Sequence, residues 1–179
     1  MRPAARELLD AWVLATWSPA VGYAASLLRD RSEAEDVVHD CYCSLLRKAD
    51  VYDLPNDGRK LLFRAVTHAC IKRNTRRRPA LSLNDAGPDG DWQRPVADPT
   101  ATEPIDAAIT QELETAIATG LARLPTNQRA ALQLKCLDHS LEEIAAALSV
   151  SPSNAGVLVH RARQTLAAHL AHYTKEQAE

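Results

Sequence analysis

Residues 140–172 read SLEEIAAALSVSPSNAGVLVHRARQTLAAHLAH, and the fold turns on how this stretch is read. Ser140 stands three residues before Glu143, the spacing at which a hydroxyl and a carboxylate satisfy backbone N–H groups reciprocally at a helix start. Leu141, Ile144, Ala145 and Leu148 follow as one apolar stripe, so the spacing predicts a short helix here. Ser149-Val150-Ser151 breaks it. Ser151 can cap a second helix, and Pro152 fits the first helical position, where its missing N–H costs nothing. Along that helix Ala155, Val159, Ala162, Leu166, Leu170 and Tyr173 share one side, and Asn154, Val157, Arg161 and Gln164 share the other. A short helix, a tight turn and a longer helix with a polar, partly basic outer face predict a helix-turn-helix, whose second helix fits the major groove of DNA. An ordinary helical hairpin inside a bundle satisfies the same pattern.

Composition narrows the classes. The chain has 179 residues, 46% of them hydrophobic, which suits two small domains with modest cores. Strand signals are scarce while Ala and Leu abound, so the expected fold is all-α: two small helical domains joined by a flexible acidic linker, the second ending in the helix-turn-helix. A net charge of −2 gives no general argument for nucleic acid, so that case rests on where charge is placed. No apolar run approaches the ~18 residues that would span a membrane, and no signal peptide is evident, so a cytoplasmic protein is expected. Cys41, Cys43, Cys70 and Cys136 show no paired metal-site spacing and read as reduced thiols.

Upstream, residues 6–17 and 20–29 carry helical periodicity, with Pro19 expected to separate them. Ser32 and Glu35 read as a second capping box, opening a helix with Ala34, Val38, Cys41, Tyr42 and Leu45 inward and Asp36, Asp40, Cys43 and Arg47 outward. Two carboxylates one turn apart suit a plain solvated face or a docking surface for a basic partner. His39 and Cys43 share a face, but no second pair completes a zinc site and nothing orients the imidazole as the base of a cysteine nucleophile. The stretch 49–58, ADVYDLPNDG, has the chemistry of a loop. A helix over 59–77 follows, with Leu61, Leu62, Ala65, Val66, Ala69 and Cys70 on its apolar side and Lys60, Arg64, Thr67 and His68 opposite. From Arg59 to Arg78 there are eight Lys or Arg and no acid. Helix-end electrostatics favours cations at about 0.3–1 kcal/mol each only within the last turn, too little to account for so many. A nucleic-acid backbone is the better partner for this run. From Pro79 to Pro104 the chain is rich in Pro, Gly and Asp, with five acids against one Arg, and reads as a linker. Helices are then expected over 105–120 and 125–137.

Two separated stretches resemble one family. LPTNQRAALQLKCLDHSLEEIAAALSVSPSNAGVLVHRARQTL (124–166) is similar to the fourth domain of bacterial sigma factors. AEDVVHDCYCSLLRKADVY (34–52) and RKLLFRAVTHACIKRNTRRR (59–78) are similar to their second domain. With no third domain between them, the chain resembles the extracytoplasmic-function (ECF) group over nearly its whole length. The resemblance implies a sigma second domain over 1–78, a linker over 79–104 and a sigma fourth domain over 105–179. It implies core RNA polymerase and promoter DNA as partners, an anti-sigma factor as a further partner class, no cofactor, no metal and no catalysis of its own.

Residue by residue, Asp36 and Asp40 would meet a coiled coil of the large polymerase subunit, and the loop 49–58 would hold a base flipped from the minus-ten element. Arg59, Lys60, Arg64, His68, Lys72, Arg73, Arg76 and Arg77 would face the minus-ten DNA. Ser153, Asn154, Val157, Arg161 and Gln164 would face the minus-thirty-five element. The chain departs from the family in having Leu61 for a common Trp, His68 for a frequent Asn, Ser149 for a usual Gly, and Gly156-Val157-Leu158 where relatives are basic and polar. Ser149 is therefore expected to adopt a left-handed backbone conformation. The competing reading is a stand-alone helix-turn-helix transcriptional regulator, which would need neither the acidic stripe nor the basic helix.

Overall fold

Pro19 does not end a helix. In the computed structural model, which describes residues 3–77 and 104–175 and their side chains over 7–76 and 111–171, helix α1 runs unbroken from Pro3 to Leu28 with Pro19 inside it. The ring of Pro19 faces solvent, while Trp12, Thr16, Ala20, Val21, Tyr23, Ala24, Leu27 and Leu28 form a buried face on both sides of it. Burying those side chains outweighs the ~3 kcal/mol that an interior proline costs a helix.

Among the described residues the fold is all-α, with α1 followed by α2 (Arg31–Leu46), α3 (Leu54–Arg77), α4 (Pro104–Arg123), α5 (Thr126–Cys136), α6 (Leu141–Leu148) and α7 (Pro152–Lys175). The cap of α2 differs from the expected one. Asp30, not Ser32, is the N-cap, and its carboxylate accepts the Glu33 N–H at 2.9 Å. The left-handed Arg29 (φ 59°) turns the chain tightly enough to put Asp30 there. Helix α3 starts five residues earlier than expected, because Asp53 accepts from the Asn56 side-chain amide at 2.8 Å and its carbonyl accepts the Asp57 N–H at 2.7 Å. The loop is thereby shortened to Arg47–Asp53. The expected linker lies outside the described residues except Pro104, which begins α4.

Helices α1, α2 and α3 pack on one another around Phe63, Leu62, Val66, Val37, Val38 and Tyr23. Thr67, expected on the polar side of α3, is fully buried. It donates to the Phe63 carbonyl at 2.6 Å and accepts from the Tyr23 hydroxyl at 2.8 Å, which satisfies both polar groups. Helices α5, α6 and α7 form the second helical set, and α4 lies on α7. Gly120 makes that approach possible, since a Cβ there would stand 2.6 Å from Leu166 and 2.7 Å from His169.

The two sets are not separate bodies. A flexible linker makes no demand that the two sets touch, and the faces that couple them belong to the helices themselves. Helix α3 packs against α6 and α5, α1 packs against α5, and one apolar cluster runs from Leu62 and Phe63 through Leu134, Ile144 and Leu148. Ser26 Oγ hydrogen-bonds the Gln133 side-chain amide, Arg29 donates to the Ala122 carbonyl at 2.5 Å, and the rings of Phe63 and His139 meet edge-on at 5.1 Å.

Candidate nucleic-acid interface

The α6–α7 corner is held by capping on both of its helices. Ser140 and Glu143 make the full capping box, with the Glu143 N–H donating to the Ser140 hydroxyl and the Ser140 N–H to the Glu143 carboxylate, each at 3.2 Å. At the other end Ser149 is left-handed (φ 56°), as the departure from Gly requires. Ser151 Oγ then accepts the Asn154 N–H at 3.2 Å and opens α7. Ile144, Ala145, Leu148, Ala155, Val159 and Ala162 are buried, so the two helices are locked at a fixed angle. Leu141, expected inward, is instead 37% exposed, and Val157 on α7 is 41% exposed. Tyr173, expected inward, has a side chain outside the described residues. Ser153, Asn154, Val157, Arg161 and Gln164 all face solvent on the outer side of α7. That face can read base edges through Asn154, Arg161 and Gln164 and a thymine methyl through Val157.

Helix α3 sorts its cations in a way that composition conceals. Lys60, Arg64, His68, Lys72 and Arg76 recur at every fourth residue and are all exposed, forming one basic stripe along the helix. Arg73 is turned aside to Glu33 of α2 at 3.2 Å, and Arg59 to the Leu137 carbonyl at 2.5 Å. Arg77 closes α3, with its side chain outside the described residues. The four-residue spacing was present in the sequence, but the diversion of Arg59 and Arg73 was not, because their partners lie far along the chain. Just before α3, the loop Arg47–Asp53 holds Val51 at 71% and Tyr52 at 37% exposure. Solvent-facing apolar side chains beside a basic stripe suit an unstacked base.

On α2, Asp36 and Asp40 are exposed on the side opposite Val38, Tyr42 and Leu45, as expected. His39 and Cys43 share this surface, with Cys43 Sγ 3.8 Å from His39 Nε2. No group of three metal-ligating side chains occurs among the described residues. Burial, reinforced by the charge of Asp40, pushes the Cys41 thiol up to about 11, and burial pushes the Cys70 thiol up to about 12. These two are filler in the α2–α3 core rather than nucleophiles.

The chain is similar to known proteins in sequence and in fold. Residues 114–166, spanning α5, α6 and most of α7, match the family model for sigma-70, region 4. The chain is 28% identical over 145 residues to the ECF RNA polymerase sigma factor SigW of Bacillus subtilis (strain 168), covering 78% of this chain and 76% of that one. In fold it is similar to the sigma factor RpoE of Bartonella quintana, solved as a co-crystal with the anti-sigma factor NepR, with a TM-score of 0.66 and 19% identity over 91% of this chain and 96% of that one.

A capped helix-turn-helix of the region 4 type, preceded by a second helical set within the same alignment, defines a sigma factor of the sigma-70 class. Within that class the chain belongs to the ECF group. It directs promoter-specific transcription with core RNA polymerase, and the family is not an enzyme class. A stand-alone regulator is disfavoured because the similarity extends well beyond the helix-turn-helix. Among the described residues no helix is long and apolar enough to cross a membrane.

Proposed function

We propose that residues 1–78 dock on polymerase and engage the minus-ten element, that 79–104 link the halves, and that 105–179 read the minus-thirty-five element. Asp36 and Asp40 supply the docking charge. The stripe Lys60, Arg64, His68, Lys72 and Arg76 follows the phosphate backbone, and the loop Arg47–Asp53 receives a base against Val51 and Tyr52. Ser153, Asn154, Val157, Arg161 and Gln164 face the upstream bases. The chain acts in the cytoplasm with no catalysis of its own, and an anti-sigma factor is a further partner class, supported by the complex in which the structurally similar RpoE was solved. The observation that carries this reading is the double-capped α6–α7 corner presenting an exposed outer face within the region matched to sigma-70, region 4. Transcription in vitro from a genomic library with core polymerase, read by sequencing start sites, tests it. Discrete starts that depend on this chain support the reading, and starts identical without it defeat it.

The two DNA surfaces are expected to fail differently. Replacing Lys72 and Arg76 with Ala should weaken promoter complexes on every sequence and flatten the log–log salt dependence by about 0.9 for each phosphate no longer neutralised. Asn154→Ala should relax choice at one upstream base by about 1–3 kcal/mol, since Asn pairs bidentately with adenine. Val157→Ser should lower affinity only where thymine occupies the contacted position. Equal losses from the two α7 substitutions on every upstream sequence would show that this face is merely structural.

A further inference from the structure

Apolar side chains that the core does not use crowd one edge of the α1–α2 pair. Arg29 and Asp30 alone join these helices, which pack on each other and so run antiparallel. Trp17 stacks on Tyr42 with ring centroids 5.7 Å apart, and Tyr42 meets Trp12 edge-on at 5.1 Å. The Tyr42 hydroxyl donates to Thr16 Oγ at 2.6 Å, whose own proton goes to the Trp12 carbonyl at 2.6 Å. Trp12, Thr16 and Tyr42 are buried, so the stack has a fixed base, but Trp17 remains 36% exposed. One turn from Trp17 toward the start of α1 comes Leu14, and one turn from Tyr42 toward the end of α2 comes Leu46. Antiparallel packing carries both to the same end of the stack, where Leu14 is 80% exposed and Leu46 40%. Single exposed apolar residues need no explanation, but a contiguous ridge of them marks an interaction site. Helical period continues this ridge into the acidic face of α2, since Cys43 stands three residues before Leu46, Asp40 three before Cys43, and Asp36 four before Asp40. Among the described side chains of α1 the charged ones are Glu7 and Asp10, both exposed, so carboxylates stand on both helices that carry the ridge.

We propose that Leu14, Trp17 and Leu46 form the apolar centre of the surface that docks on core RNA polymerase, with Asp36 and Asp40 as its charged rim. The inference rests on the assignment of Asp36 and Asp40 to polymerase. The ridge is continuous with those two carboxylates, and acids accompany it on both helices, so the segment that covers it is apolar in its middle and basic at its edges. A second copy of this chain does not fit that description, because a two-fold contact through the same ridge would set carboxylates against carboxylates. Interfaces divide the work in this way: desolvated aromatic and aliphatic anchors hold the complex together, while rim charges steer the encounter. Helix α1 thereby becomes half of the docking surface. Its unbroken course through Pro19 is what holds Trp17 over Tyr42 and Leu14 one turn beyond.

The test uses the full chain and purified core polymerase. Leu14→Gln with Leu46→Gln makes the two most exposed positions of the ridge polar without disturbing helix or core, and Trp17→Ala removes the aromatic anchor. Leu14→Met with Leu46→Met keeps the ridge apolar. Anisotropy gives the affinity of each labelled variant and stopped flow its association and dissociation rates, both over a range of salt, with circular dichroism confirming the helices. The expected result is a loss of about tenfold or more in the Gln pair and in Trp17→Ala, carried by faster dissociation, with a salt dependence parallel to that of the parent. The Met pair should stay within about threefold of the parent. Asp36→Arg with Asp40→Arg should instead change association and its salt dependence. Parental affinity in a folded Gln pair overturns the proposal, as does an equal loss in the Gln and Met pairs. If the Gln pair binds normally while the Asp36 and Asp40 variant does not, the docking assignment stands and its apolar centre alone falls. If both bind normally, the docking assignment falls as well. A parent that self-associates in sedimentation, and a Gln pair that is monomeric yet binds polymerase normally, would give the ridge to a second copy and overturn the proposal.

Discussion

Asp36→Arg combined with Asp40→Arg is expected to abolish binding to core polymerase while the chain stays folded. Both carboxylates are exposed on α2, and the face that holds the helix in place, through Ala34, Val37, Val38, Cys41, Tyr42 and Leu45, is left untouched. Exposed ion pairs are individually weak. Reversing two charges at once, however, replaces two attractions with two like-charge contacts against a basic surface, a penalty of several kcal/mol and thus a loss of a hundredfold or more in affinity. Fluorescence anisotropy with labelled factor and purified core measures it, with circular dichroism confirming the helices. Parental affinity in the double variant would remove α2 from the docking surface.

Phe63→Ala is expected to have the largest effect on stability and to unsettle both helical sets at once. Phe63 is 1% exposed and joins Tyr23 of α1, with ring centroids 5.6 Å apart, to His139 of the α5–α6 corner. Emptying a site of that size costs about 3–5 kcal/mol. At roughly 2–4 °C for each kcal/mol in a chain of this length, the melting temperature should fall by ten degrees or so. Because the apolar cluster is shared, calorimetry should show one cooperative transition in the parent. In Phe63→Ala the two sets should melt apart, and two transitions in the parent would count against the shared core.

What could be read from the chain alone was local. The capping box at Ser140 and Glu143, the Ser151 cap with Pro152 behind it, and the left-handed Ser149 each depend on atoms a few residues apart, and each appears in the structure as the spacing requires. The outward positions of Asp36, Asp40, Asn154, Val157, Arg161 and Gln164 follow from helical period, which needs only the knowledge that one face is buried.

Tertiary packing decided the rest wherever a local preference was outweighed or a partner was distant. Pro19 gave way to the continuous buried face of α1. Thr67 went inward because the Tyr23 hydroxyl was there to meet it. Arg59 and Arg73 left the basic stripe for Leu137 and Glu33, and the α5–α6 corner settled on α3. None of these pairings leaves a periodic trace, because each joins segments whose separation along the chain is unrelated to either helical turn, and only the assembled core brings them within reach.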